Sequence, residues 1–194
     1  GIWTLDQAAD YEKQGLWPKP VIPRELWTWG YNVDGQVGDG STVQRNSPVQ
    51  VGALTDWSKV SLSYKSTCVI KSDGTLWSWG DNGYGQLGDG STTDRSSPVQ
   101  VGALTDWAEI AGGREFFASV KTDGTMWAWG RNNSGQLGQG NTTSYSSPVQ
   151  IGALTDWSVV GAGKEHVLAV KTDGTLWTWG DNGDGMLGLG DTTN

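Results

Sequence analysis

The 194-residue chain predicts an all-β fold of repeated four-stranded antiparallel blades, three full 50-residue units and part of a fourth, preceded by a short N-terminal helix. Three observations carry this expectation. Trp27, Trp77, Trp127 and Trp177 stand 50 residues apart, as do Trp29, Trp79, Trp129 and Trp179, with no insertion between copies. An Asp-Gly dipeptide at 73–74, 123–124 and 173–174 separates apolar runs, which is a hairpin signal. Helical periodicity is absent from the units, and HVLAVK at 166–171 places apolar residues on both alternating faces, as in a strand buried on two sides. Repeats of this length stack into solenoids or propellers, and four antiparallel strands per unit is the arithmetic of a β-propeller.

Along the chain, residues 1–26 form a first region and 27–194 the repeats. TLDQAADYEKQG at 4–15 predicts a helix, with Thr4 as N-cap, Gln7 completing a capping box, Gly15 as the stop and Pro18 beyond it. Apolar residues Trp3, Leu5, Leu16 and Trp17 of this first region are candidate anchors on a partner or on the first blade, and WPKPVIP reads as a stiff connector. In each unit, TLWSWG supplies one strand, with Trp77 and Trp79 on the same face. A glycine-rich loop, GDNGYGQLGDG, follows it. PVQV at 98–101 and WAEIA at 107–111 supply two more strands, joined by a turn through GALTD. Repeated indoles are expected to fill the space between blades, each N–H meeting a backbone carbonyl.

Composition narrows the function classes. A formal net charge of -8 and a pI near 4.5, with no basic block, argue against nucleic acid or an anionic membrane as partner. No apolar run is long enough for a membrane-spanning helix, so membrane insertion is not expected. The single Cys68 forms no internal disulfide, which leaves the fold to packing alone.

The glycines at 83, 85 and 88 spell GxGxxG, a pattern of dinucleotide-binding loops. Such a fingerprint opens a helix, whereas DGSTTDRSSP follows here, and Val33 and Asn133 replace the first glycine in other units. No cofactor is expected. DNGDG at 181–185 lacks the alternate carboxylates and closing glutamate of a calcium loop, and Asp81, Arg131 and Tyr31 at the equivalent position read as solvated turn residues. His166 is the single histidine and has no catalytic partner at recognisable spacing, so no enzyme activity is expected. Two glycosylation sequons, at Asn132 and Asn141, are short enough to arise by chance.

The run LWSWGDNGYGQLGDG, then SSPVQV, then GKEHVLAVKTDGTLWTWG, resembles the regulator-of-chromosome-condensation repeat over residues 27–194. WD-type and kelch-type repeats fit less well. The resemblance implies a propeller normally closed by seven blades, so the chain is expected to continue beyond Asn194, the alternatives being a ring completed by several chains or an open arc whose exposed strand edges invite association. It also implies a structural role for His166 in G-x-x-H. Light-sensing relatives carry a G-W-R-H-T run, where GREFF and GKEHV stand in this chain. GIWTLDQAADYEKQGLWP resembles a short segment of structural proteins of marine tailed phages.

Positions that differ between copies point to a candidate binding face: Tyr64 and Lys65 in the first copy, Arg114, Glu115 and Phe116 in the second, and Lys164, Glu165 and His166 in the third. Residues 43–46, 93–96 and 143–146 vary as well. The expected function is a non-enzymatic interaction module of a phage virion, such as a tail fibre, spike or decoration protein. Its partners would be other virion proteins, further copies of itself, or a host-surface receptor or glycan, with a virion location. Alternatives are a secreted or cytoplasmic binding protein, acting as an enzyme inhibitor or GTPase regulator, and a carbohydrate-binding lectin.

Overall fold

The computed structural model describes residues 24–193. The N-terminal helix and the anchors Trp3, Leu5, Leu16 and Trp17 lie outside the described residues. Among the described residues there is no helix, hence none able to cross a membrane. Thirteen strands follow one another among the described residues. They are β1 (Trp27–Gly30), β2 (Arg45–Gln50), β3 (Trp57–Leu62), β4 (Ser66–Lys71), β5 (Leu76–Gly80), β6 (Arg95–Gln100) and β7 (Trp107–Gly112). Then come β8 (Phe116–Lys121), β9 (Met126–Gly130), β10 (Tyr145–Gln150), β11 (Trp157–Ala162), β12 (His166–Lys171) and β13 (Leu176–Gly180).

All pairings between these strands are antiparallel and build two complete blades, β3-β4-β5-β6 and β7-β8-β9-β10, flanked by the pair β1-β2 and the three-stranded β11-β12-β13; an isolated parallel bridge joins Arg24 to Asp56. The blade is therefore out of phase with the unit that begins at Trp27. Periodicity is the same wherever the cut is made, so it gives the length of a blade but not its first strand. Hydrogen bonding decides that. The Asp-Gly turn pairs β4 with β5, and the loop at 81–94 folds β6 back onto β5. The GALTD segment then crosses to the next blade instead of closing a hairpin inside one. Strands β3, β7 and β11 pack side by side as the inner strands, with a Lys59–Glu109 ion pair and a bond from Gly112 N–H to Ser61 Oγ (2.8 Å) between neighbours.

Central strands β4 and β8 are buried at all six positions, whereas β12, whose HVLAVK run predicted burial on both sides, alternates between buried and half-buried positions, with no described blade beyond it. The tryptophans divide into three roles. Trp79, Trp129 and Trp179 reach into the preceding blade, each Nε1 donating to the carbonyl oxygen of Gln36, Gln86 or Gln136 at 3.0 Å. Trp77, Trp127 and Trp177 donate instead to the hydroxyls of Thr75, Thr125 and Thr175, which in turn donate to Asp73, Asp123 and Asp173. Trp57, Trp107 and Trp157 pack edge-on against these rings, and their buried N–H groups have no partner, which corrects the expectation of a carbonyl for every indole. Lys71 stands over Trp57 at 5.0 Å and Trp77 at 4.4 Å while pairing with Asp56, and Lys121 and Lys171 repeat this arrangement. Each cation–π contact contributes on the order of 0.5–2 kcal/mol, more where water is excluded.

Burial of the second indole depends on the neighbouring blade: Trp79 and Trp129 are 0% exposed, whereas Trp29, with no described blade before it, is 62% exposed. The loop that receives the indole is organised by a buried asparagine. Asn82 Oδ1 accepts from Leu87 N–H, and its Nδ2 donates to the carbonyls of Ser91 and Thr93. Farther along, Asp89 receives the hydroxyl and amide of Ser91 and the guanidinium of Arg95. Burial alone would raise the Asp89 carboxyl, but those bonds outweigh it and hold its pKa below the ordinary value. In the third copy Gln139, Asn141 and Tyr145 replace this trio together.

Gly88 lies at φ +71, where a Cβ would fall 2.8 Å from Trp129 Nε1; Gly102 has φ +62 with open space around it. Gly102→Ala is expected to cost about 1–2 kcal/mol, from the left-handed backbone alone. Gly88→Ala should cost about 1–3 kcal/mol more, from displacing the indole. Urea denaturation of the two variants checks the difference.

Candidate interaction face

The turns β3–β4, β7–β8 and β11–β12, at 63–65, 113–115 and 163–165, gather on one face of the arc. Backbone bonds set them side by side: Tyr64 N–H donates to the Arg114 carbonyl (3.0 Å) and Arg114 N–H to the Lys164 carbonyl (2.9 Å). The next carbonyls, those of Lys65, Glu115 and Glu165, accept from the amides of Asp81, Arg131 and Asp181. Each turn is thereby fixed to the glycine-rich loop of its own blade. Tyr64, Arg114 and Lys164 rim a hollow of about 650 Å³ floored by glycines 112, 113 and 163.

Six of the eight residues singled out from the sequence share this face: Tyr64, Lys65, Arg114, Glu115, Lys164 and Glu165. Phe116 and His166 do not. Phe116 is 0% exposed and belongs to the core with Ala118, Met126 and Val167. Its ring, like that of His166, lies beneath a turn glycine, where a Cβ on Gly113 or Gly163 would collide with it. Variation at this position therefore reflects different fillings of the space below the turn. His166 Nδ1 has no partner, and no hydroxyl, thiol or carboxylate bonds to it among the described residues.

The loop residues complete the face and polarise it. On one side, Arg131 Nη1 lies 2.7 Å from Glu115 Oε2 and 3.7 Å from Glu165 Oε1, while Arg114 Nη1 is 3.7 Å from Glu165. The Glu115 hydrogen bond raises the Arg131 pKa further. Tyr84 covers the Arg131 guanidinium at 5.2 Å and Tyr64 covers Arg114 at 5.7 Å. On the other side, the carboxylate oxygens of Asp34, Asp81 and Asp94 all lie within 4.8 Å of one another, with Lys65 Nζ 3.2 Å from Asp34. Among the described residues this is the one acidic group close enough to share a cation. Lys65 already supplies a counter-charge.

Asp81 and Arg131 are thus network members and not solvated turn residues. Sequence reasoning passed over them, together with Asp34, Asp94 and Tyr84, because their partners come from other strands or other blades. The signal available was their change of charge between copies.

The Asp81 pKa is raised, first by burial and then by Asp94 and Asp34. A raised carboxyl binds its proton more tightly in the folded state, so ionisation lowers stability as pH rises from the unfolded value of about 3.9 through the folded one. Asp81→Asn keeps an oxygen for the Gln86 amide. It should raise the melting temperature at neutral pH, and the gain should vanish on acidification below about pH 4. Thermal melts of both proteins across that range check the sign.

Two family models, both described as the regulator of chromosome condensation (RCC1) repeat, match the chain, one at residues 25–70, 73–120 and 123–170 and the other at 57–86, 107–136 and 158–185. No curated protein sequence matches it. Among solved structures, human WBSCR16 is 26% identical with a TM-score of 0.79, covering 88% of this chain and 46% of that one. A structure described as Kap60 bound to yeast RCC1 (Prp20) is 21% identical with a TM-score of 0.74, over 88% of this chain and 43% of the other. Prp20p from Saccharomyces cerevisiae is 19% identical with a TM-score of 0.73, over 87% and 44%. The chain spans less than half the length of each of these structures. With the repeat models covering most of the described residues, the chain belongs to the regulator of chromosome condensation (RCC1) repeat family.

Proposed function

We propose that the chain is a non-catalytic protein-interaction module whose working surface is the turn-and-loop face around Tyr64, Arg114 and Lys164. One observation carries this reading. Equivalent turns are held by the same backbone bonds in successive blades, yet they present tyrosine, arginine and lysine at one position, and lysine and two glutamates at the next. A surface with a common frame and dissimilar side chains suits recognition of an asymmetric partner. Prp20p from Saccharomyces cerevisiae has binding properties to Gsp1p and histones, so a propeller of this family engages protein partners.

The groups with nucleophilic chemistry support a non-catalytic role by where they sit. Cys68 is 0% exposed and burial pushes its thiol pKa up, while the Ser66 hydroxyl is bonded to that of Ser63. Among the described residues the exposed tryptophans are Trp27, Trp29 and Trp177, in the first and last sheets, so sugar stacking is not a feature that every blade offers. A GTPase regulator is less favoured, because the repeats keep a 50-residue spacing with no inserted segment. Within the interaction class, the narrower reading is a virion component that binds another virion protein, a further copy of itself or a host-surface receptor. Its support is the resemblance of residues 1–18 to tailed-phage structural proteins. Mass spectrometry of purified particles tests that narrower reading, which fails if the chain is missing from them.

The face itself is tested by capture from an extract of the native source. A Y64A/R114A/K164A variant should lose bound partner at least tenfold, while Leu104→Ser, on the blade-crossing segment, retains it. Equal capture by the triple variant overturns the proposal.

A further inference from the structure

The second and third blades make the same loop differently, and the difference leaves two donors without acceptors. In the second blade, Gln86 Oε1 accepts from Tyr84 N–H (2.8 Å) and Gln86 Nε2 donates to Asp81 Oδ2. Asp81 in turn faces the Lys65 turn, whose carbonyl receives the Asp81 amide. In the third blade the charges are exchanged: Glu115 stands for Lys65 and Arg131 for Asp81. The glutamine is unchanged. Gln136 Oε1 again accepts from a backbone amide, that of Ser134 at 2.9 Å, which fixes which end of the amide is which. Gln136 Nε2 therefore points where an acceptor stood in the second blade, and an arginine is there instead.

Gln136 is 0% exposed, and its Nε2 has no partner; the Nε of Arg131 is buried and unpartnered too. Buried donors without acceptors are uncommon, because each forfeits the hydrogen bonds it had in water. Arg114 and Arg131 meet the two carboxylates of Glu115 and Glu165, and the exposed Lys164 stands on the same face at the rim of the hollow, giving three cations to two carboxylates. What the Gln136 Nε2 and Arg131 Nε donors lack is an acceptor, in surroundings with more cations than carboxylates. Tyr84, 40% exposed above the Arg131 guanidinium, is the side chain an incoming group has to move.

Resting on the assignment of this face as the working surface, we propose that it recognises an acidic side chain of a partner protein. The carboxylate accepts from Arg131 and Gln136 and is flanked by Arg114 and Lys164. The neighbouring Asp34, Asp81 and Asp94 cluster gives the face an opposite pole and orients the partner segment.

The probe is a fluorescently labelled hexaglutamate peptide, compared with a glycine-serine hexamer by fluorescence anisotropy at low and raised salt. Hexaglutamate should bind at least tenfold more tightly than the neutral peptide, and salt should weaken it. The double variant E115K/R131D installs the Lys65–Asp81 arrangement of the second blade, in which the glutamine amide is satisfied. It should fold with an unchanged melting temperature and bind hexaglutamate at least tenfold more weakly. Lys164→Ala should weaken binding severalfold. The proposal is overturned if hexaglutamate shows no preference over the neutral peptide, or if the folded double variant binds it as tightly as the parent. Loss of captured partner in Y64A/R114A/K164A without any hexaglutamate preference would leave the face in place and refute its acidic ligand.

Discussion

The second tryptophan of W-x-W, seated on the preceding glycine-rich loop, locks each blade to the one before it, alongside the bonds between inner strands and between turns. Trp129 shows its parts: the indole N–H meets the Gln86 carbonyl, the ring lies against Gly88, and Trp107 and Phe117 close around it. The contact demands a loop carbonyl aimed outward and a residue with no side chain beneath the ring. Asn82 supplies the first by gathering the loop around its own amide, and Gly88 supplies the second. Loss of either element would leave a large aromatic surface uncovered between blades.

The same contact determines where variation is tolerated. The second tryptophan, the loop asparagine and the glycine beneath the ring are the same in every copy, as at Trp79, Asn82 and Gly88, while the turns that lie above the lock differ. Some of the differences are compensated in place: Asp89, Ser91 and Arg95 become Gln139, Asn141 and Tyr145, and an ionic tie is replaced by an amide-to-phenol bond. Lys65 and Asp81, whose charges attract while Lys65 pairs with Asp34, become the ion pair Glu115 and Arg131. Gln136 is the member of that set that did not change, and it is left without its acceptor. A position where the framework keeps a residue that its new neighbour no longer satisfies marks a place where another molecule can complete the hydrogen bonding.

Much of the fold was legible in the sequence because its causes are local. A 50-residue period, Asp-Gly turns and two-sided apolar runs state strand length, hairpin position and burial without reference to distant residues. Repetition also separated the invariant frame from the varying turns, which brought Tyr64, Arg114 and Lys164 forward as a set. What repetition leaves undetermined is any choice the period does not alter. The first strand of a blade is such a choice, and it was decided by which strands β5 and β9 bond to on their second edges.

The chemistry of the face was decided by tertiary structure. Arg131, Asp34 and Asp94 sit on loops that touch turns of the same or the next blade, and nothing in their local sequence distinguishes them from solvated turn residues. Phe116 and His166 varied as much as their neighbours, yet the strand carries their rings under Gly113 and Gly163, where Phe116 is fully buried and His166 half-buried. By itself, then, the sequence determined the repeat, the strands and the variable turns, since each follows from residues adjacent in the chain. Which varied side chains point outward and which charges meet across a blade junction emerged only when the indole locks had brought distant loops together.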